Sequence, residues 1–91
     1  METKDDVKGD DGSIYSGQWL EDERHGRGCL KIDGNTYEGN FRHGMKSGDG
    51  KLTYKNGDSY SGWWKFGEKE GTGTYTFKST GMKLFGEWTA G

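Results

Sequence analysis

Two histidines, one cysteine, a Gly-Lys dipeptide and a few close acidic residues are the places in this 91-residue chain where chemistry could reside. His25 lies in a His-Gly-x-Gly segment predicted to be a turn, and His43 in an inter-strand loop beside Arg42. An imidazole in a turn hydrogen-bonds local backbone far more readily than it serves as a general base, which needs a positioned partner. Cys29 follows that turn on a strand and has no second cysteine, so it is read as a small, partly buried residue. Gly48-Asp49-Gly50-Lys51-Leu52 ends like a phosphate loop, yet Leu52 stands where a Ser or Thr would hold magnesium and no helix follows. Asp10-Asp11-Gly12 lacks the spaced ligands and closing Glu of a calcium loop, and Glu21, Asp22 and Glu23 read as a solvated charge run. Neither a metal nor a cofactor is predicted, and the chain is expected to bind or scaffold and not to act as an enzyme.

The elements that carry these residues repeat. DGSIYSGQW (11–19), DGNTYEGNF (33–41), NGDSYSGWW (56–64) and TGMKLFGEW (80–88) align as a turn followed by an alternating strand. Tyr15, Tyr37, Tyr60 and Leu84 fall 22, 23 and 24 residues apart. A glycine pair follows in three units: Gly26 and Gly28, Gly48 and Gly50, Gly71 and Gly73, the first of each pair seven residues after Trp19, Phe41 or Trp64. Beyond it, Leu30 and Ile32, Leu52 and Tyr54, and Tyr75 and Phe77 alternate with polar residues. Period two marks strands with one buried face, and Asp-Gly or Asn-Gly between them marks hairpin turns. The predicted fold is therefore all-β, an antiparallel single-layer meander of β-hairpin repeats. About seven strands at ~4.8 Å would make a sheet roughly 30 Å wide.

Composition agrees with a regular local plan. Only 27% of residues are hydrophobic and 31% are charged, but 14% are aromatic, and 18 Gly with no Pro suit a fully paired sheet. Residues 1–12 carry five acids against Lys4 and Lys8, net −3, leaving 13–91 at +1 within the formal −2. Residues 1–10 are thus expected to form an acidic flexible tail, and 11–91 the repeat domain of three full units and a truncated fourth. The strand around 84–88 either caps the sheet or leads into a longer chain. A near-neutral body predicts no nucleic-acid partner, which would require a concentrated basic face. A lone cysteine, no apolar N-terminal stretch and no window near the roughly 20 apolar residues of a membrane span point to a cytoplasmic protein.

Tyr-x-Gly-x-Trp, then Gly-x-x-His-Gly-x-Gly, then Asp-Gly, repeated through 11–88, resembles the MORN (membrane occupation and recognition nexus) repeat. Departures occur: Asp22 stands where later units have Gly44 and Gly67, Ser47 and Glu70 replace the histidine, Phe41 replaces Trp, and Leu84 replaces Tyr. The resemblance implies a setting like that of small MORN proteins of the cytoskeleton, including cilia, flagella, axonemes and their radial spokes. It also implies two alternatives, a membrane-associated phosphoinositide-binding module and an N-terminal targeting module of a larger enzyme.

Three surfaces follow as candidate sites. A single-layer sheet has no second layer to cover its aromatic stripe, so Tyr15, Trp19, Tyr37, Phe41, Tyr60, Trp64 and Trp88 are expected to line a groove for a partner helix or peptide. Arg42, Lys46, Lys51 and Lys55 form a thin basic set that could meet anionic lipid weakly, although ordinary solubilising residues look the same. The last strand, 81–88, is an edge through which copies of the chain could associate.

Overall fold

A computed structural model describes residues 2–88. Eight strands run in chain order: β1 (Glu2–Lys8), β2 (Ile14–Leu20), β3 (Glu23–Ile32), β4 (Asn35–Arg42), β5 (Met45–Thr53), β6 (Ser59–Lys65), β7 (Glu68–Thr76) and β8 (Lys83–Trp88). Each pairs antiparallel with its sequence neighbour, so the sheet order is the chain order and one open layer results. The predicted meander is observed.

Register explains why a chain with so little apolar content folds this way. Gly17, Gly28, Gly39, Gly50, Gly62, Gly73 and Gly86 lie opposite one another across seven strands. This bare row leaves a channel on what we term the inner face. Tyr15, Tyr37 and Tyr60 each lay the phenol ring along the channel and donate a hydrogen bond to the carbonyl three residues ahead, of Gln18, Asn40 and Trp63 at 2.8, 2.8 and 3.5 Å. A Cβ at Gly28, Gly50 or Gly73 would run into the Tyr15, Tyr37 or Tyr60 ring. The glycines are there to admit tyrosine.

Two expectations are corrected. Glu2–Lys8, placed by its acidity in a flexible tail, is β1 and pairs with β2 through a register shift between Lys4 and Val7. Backbone pairing asks little of side chains, and β2 would otherwise present an open edge. The His-Gly-x-Gly segment is not a turn: His25 to Gly28 lie within β3. Gly26, Gly48 and Gly71 adopt φ of 78°, 68° and 74° inside β3, β5 and β7, where the pairing of each unit shifts between Gly17 and Trp19, Gly39 and Phe41, or Gly62 and Trp64. A bulge and a turn both demand positive φ, so both select glycine. The reversals themselves come earlier, at Glu21-Asp22, His43-Gly44 and Phe66-Gly67, all at positive φ.

Candidate aromatic and cationic face

The seven aromatic residues predicted to line a groove come together on the inner face, but mostly as core. Tyr15, Tyr37, Phe41, Tyr60 and Trp64 are buried, while Trp19 and Trp88 are partly buried against them. Edge-to-face contacts link them in one zigzag: Trp19 to Tyr15 at 5.1 Å, Tyr15 to Phe41 at 5.2 Å, Phe41 to Tyr37 at 5.1 Å, Tyr37 to Trp64 at 5.4 Å, Trp64 to Tyr60 at 5.3 Å and Tyr60 to Trp88 at 5.4 Å. Interplanar angles of 80–90° put the positive ring edge on the negative face, the favourable quadrupole arrangement. The sheet thus covers its own stripe without a second layer. The tryptophans add polar anchors: Trp64 Nε1 donates to the Gly50 carbonyl at 3.2 Å and Trp88 Nε1 to that of Gly73 at 3.4 Å. Trp19 Nε1, next to β1, is buried with no hydrogen-bond partner.

Over this ladder lies a row of cations. Arg24 and Lys46 oppose Trp19 and Phe41 in register, as Lys69 opposes Trp64. The Arg24 guanidinium sits 5.9 Å from the Tyr15 ring and 5.8 Å from Phe41. Lys46 Nζ is 5.6 Å from both Tyr37 and Trp64, and Lys69 Nζ 5.5 Å from Tyr60. Lys4 adds a fourth charge 5.9 Å from Trp19. Burial lowers the Lys46 pKa, and repulsion from Arg24 and Lys69 lowers it further. Burial raises the pKa of Tyr15, Tyr37 and Tyr60, keeping the phenols neutral. Arg24, Lys46 and Lys69 each follow the second aromatic of their unit by five residues. That period was readable in the sequence and was missed because it straddles a turn.

The other predicted residues disperse. Arg42 and Lys46 line one cleft with His43, Met45, Ser47, Lys65 and Phe66. Lys51 lies elsewhere, paired with Glu38 and Ser61 on the opposite, outer face, and Lys55 caps a turn with its N–H donating to Asn35 Oδ1. The basic set is therefore not one patch. Half-buried His25 stacks edge-on with exposed His43 at 5.9 Å, and His43 Nδ1 lies 3.7 Å from exposed Glu23 Oε1. Burial and then Glu38 raise the Cys29 thiol pKa, which disfavours a nucleophilic thiolate. Among the described residues no cluster of three or more His, Cys, Asp or Glu could hold a metal, and no helix is long and apolar enough to cross a membrane.

The inner face thus presents stacked rings beneath a row of cations. The sequence profile of the MORN repeat matches residues 15–36, 37–59 and 60–82. The chain is also 44% identical over 45 residues to Alsin of Rattus norvegicus, and equally to Alsin of Mus musculus and of Homo sapiens. These matches cover 48% of this chain and 3% of the relatives, so the chain spans a small piece of the proteins it resembles. The ring-over-glycine register and the profile coincide unit by unit, and the chain belongs to the MORN repeat family, whose repeats form binding modules.

Proposed function

We propose that this protein is a structural adaptor that docks an acidic helix or peptide of a larger cytoskeletal assembly on its inner face. The carrying observation is the cation row of Lys4, Arg24, Lys46 and Lys69 held 5.5–5.9 Å above the aromatic ladder. Because the ladder is buried, the partner meets cations and ring edges and not an empty groove. Lys46 has its charge disfavoured by burial and by its like-charged neighbours. A carboxylate laid between Arg24, Lys46 and Lys69 relieves that cost, so binding gains what folding forgoes. Spacing favours a helix: Arg24, Lys46 and Lys69 lie on alternate strands, about 9.6 Å apart, and seven residues of α-helix rise about 10.5 Å. Acidic residues at every seventh position would therefore reach successive cations. The family resemblance supplies the cytoskeletal setting, with the ciliary or flagellar axoneme as its specific form.

One observation favours a second reading, attachment to anionic lipid. Phe66 is 72% exposed at a turn beside Arg42, Lys46 and Lys65, an apolar tip ringed by cations. Such a tip enters the headgroup region while the charges meet phosphates.

Charge reversal separates the two. Lys46→Glu should release the tagged protein from a detergent-resistant cytoskeleton, and Phe66→Ser should leave that retention intact. If Phe66→Ser alone abolishes association, and the association is with membranes, the lipid reading replaces the adaptor.

A further inference from the structure

The glycine row ends on a glycine that the folded chain does not itself require. A Cβ at Gly17, Gly39 or Gly62 would lie 2.5–2.6 Å from the Cα of the glycine on the following strand and 2.7–2.8 Å from the hydroxyl of its own unit's tyrosine. Gly86 is the equivalent residue of β8, yet a Cβ there would meet nothing within 4 Å, and its φ is not positive. Glycine inside a strand weakens it and marks the close approach of another backbone. The ring stack changes at the same strand. Phe41 and Trp64 each stand edge-on between two tyrosines, whereas Trp88 meets Tyr60 at 5.4 Å and its own unit supplies Leu84, 48% exposed, in place of the second tyrosine. Leu84 is the one departure from tyrosine among the four units, and β8 is the last strand of the sheet among the described residues.

We infer that β8 pairs antiparallel with β8 of a second copy of the chain, about a two-fold axis at Gly86, so that two sheets join into one. Glycine selects the register. With Gly86 opposite its counterpart the glycine row runs on unbroken, and the clearance at Gly86 takes the approaching backbone as the clearance at Gly39 takes that of Gly50. Alternation along β8 then sets Leu84 opposite the second copy's Trp88 on the inner face and Phe85 opposite its Glu87 on the outer one. Leucine selects the occupant. A single tyrosine fills the space above each glycine pair: Tyr15 for Gly17 and Gly28, Tyr37 for Gly39 and Gly50, Tyr60 for Gly62 and Gly73. A strand of the β3, β5 or β7 type beside β8 would leave that space to a tyrosine at position 84. A two-fold pair instead brings two residue-84 side chains to one glycine pair, where two tyrosines would collide and two leucines fit. The same register gives each Trp88 an apolar neighbour where its unit lacks the second ring, and it sets Phe85, 80% exposed, diagonally across the axis from the second copy's Phe85. Such a contact is isologous and closes at two copies.

This contact does not depend on the cation row and stands or falls by itself. Sedimentation and light scattering of the full chain at rising concentration test it, and the mass should approach that of two chains by about 1 mM. Gly86→Val fills space that a single copy leaves open, and Leu84→Tyr restores the residue of the other units, so both variants should keep the native circular dichroism spectrum. Each should dimerise at least about tenfold more weakly. Should one of them fail to fold, the other decides. In a mixture of ¹³C-labelled and unlabelled wild type, isotope-filtered nuclear Overhauser effects should join Leu84 of one copy to Trp88 of the other. A mass that stays at one chain up to about 1 mM, a dimer undiminished in a folded variant, or growth beyond two copies would overturn the proposal, the last by pairing β8 with the β1 edge of the next copy.

Discussion

The two faces of this sheet share one backbone and follow opposite rules. On the inner face the three full units repeat one another: tyrosine over a glycine pair, an aromatic ring edge-on, a cation above. On the outer face the units diverge, with Gln18, Asn40, Trp63 and Glu87 at equivalent places. The periodic residues hold strands together because each closes the same gap, and a solenoid-like meander is stable only if every unit closes it. Aperiodic residues are free to differ, and on the outer face they leave Trp63 and Phe85 exposed.

Substitutions at neighbouring positions should separate the two rules most sharply. Trp64→Ala removes the ring that joins Tyr37 to Tyr60 and should cost about 3–5 kcal/mol in urea denaturation. Trp63→Gln, one residue away, should change stability by no more than about 0.5 kcal/mol. If the two cost the same, the division between faces is wrong. Gly50→Ala comes next, since the new methyl would occupy the space of the Tyr37 ring; a loss of about 1–3 kcal/mol is expected, with Tyr37 displaced in the near-ultraviolet spectrum. A finer contrast lies within the ladder. Trp64→Phe loses a hydrogen bond to Gly50 and should cost about 1 kcal/mol more than Trp19→Phe, whose indole N–H has no partner.

Alkaline pH probes the inner face through its buried tyrosines. Burial raises the Tyr15, Tyr37 and Tyr60 pKa values in the folded chain, so the stabilisation is fully present below the unfolded phenol value of about 10 and is lost as pH rises beyond it. The unfolding midpoint in urea should therefore fall above pH 10, and fall less steeply in Tyr37→Phe. The smallest effect should be a gain. Asp22 holds φ at 64° where the later units place Gly44 and Gly67, so Asp22→Gly should raise stability, by up to about 1 kcal/mol.

Much of this was legible in the chain. Alternation gave the strands, Asp-Gly and Asn-Gly the reversals between units, and phase the common face of the tyrosines, because a two-residue period leaves a side chain only two directions. What periodicity does not carry is side-chain rotation. Laying Tyr37 along its own strand fills the predicted groove, and nothing in spacing says that it must. Bulge and turn glycines share a backbone preference, so Gly26 was assigned to the wrong one of the two. β1 was missed because ETKDDVK lacks an apolar face and is held through backbone pairing to β2. The cation row escaped for a simpler reason: its period shows only when Arg24, Lys46 and Lys69 are counted from the aromatic residue across the reversal.

The claim that the cations above the ladder receive carboxylates is tested most directly by titrating the ¹⁵N-labelled protein with an alanine-based helical peptide bearing glutamate at every seventh position. Saturable shifts at Arg24, Lys46 and Lys69, screened by salt and lost in Lys46→Glu, are the predicted result. Shifts that are absent, or that persist in Lys46→Glu or with glutamine in place of glutamate, would contradict it.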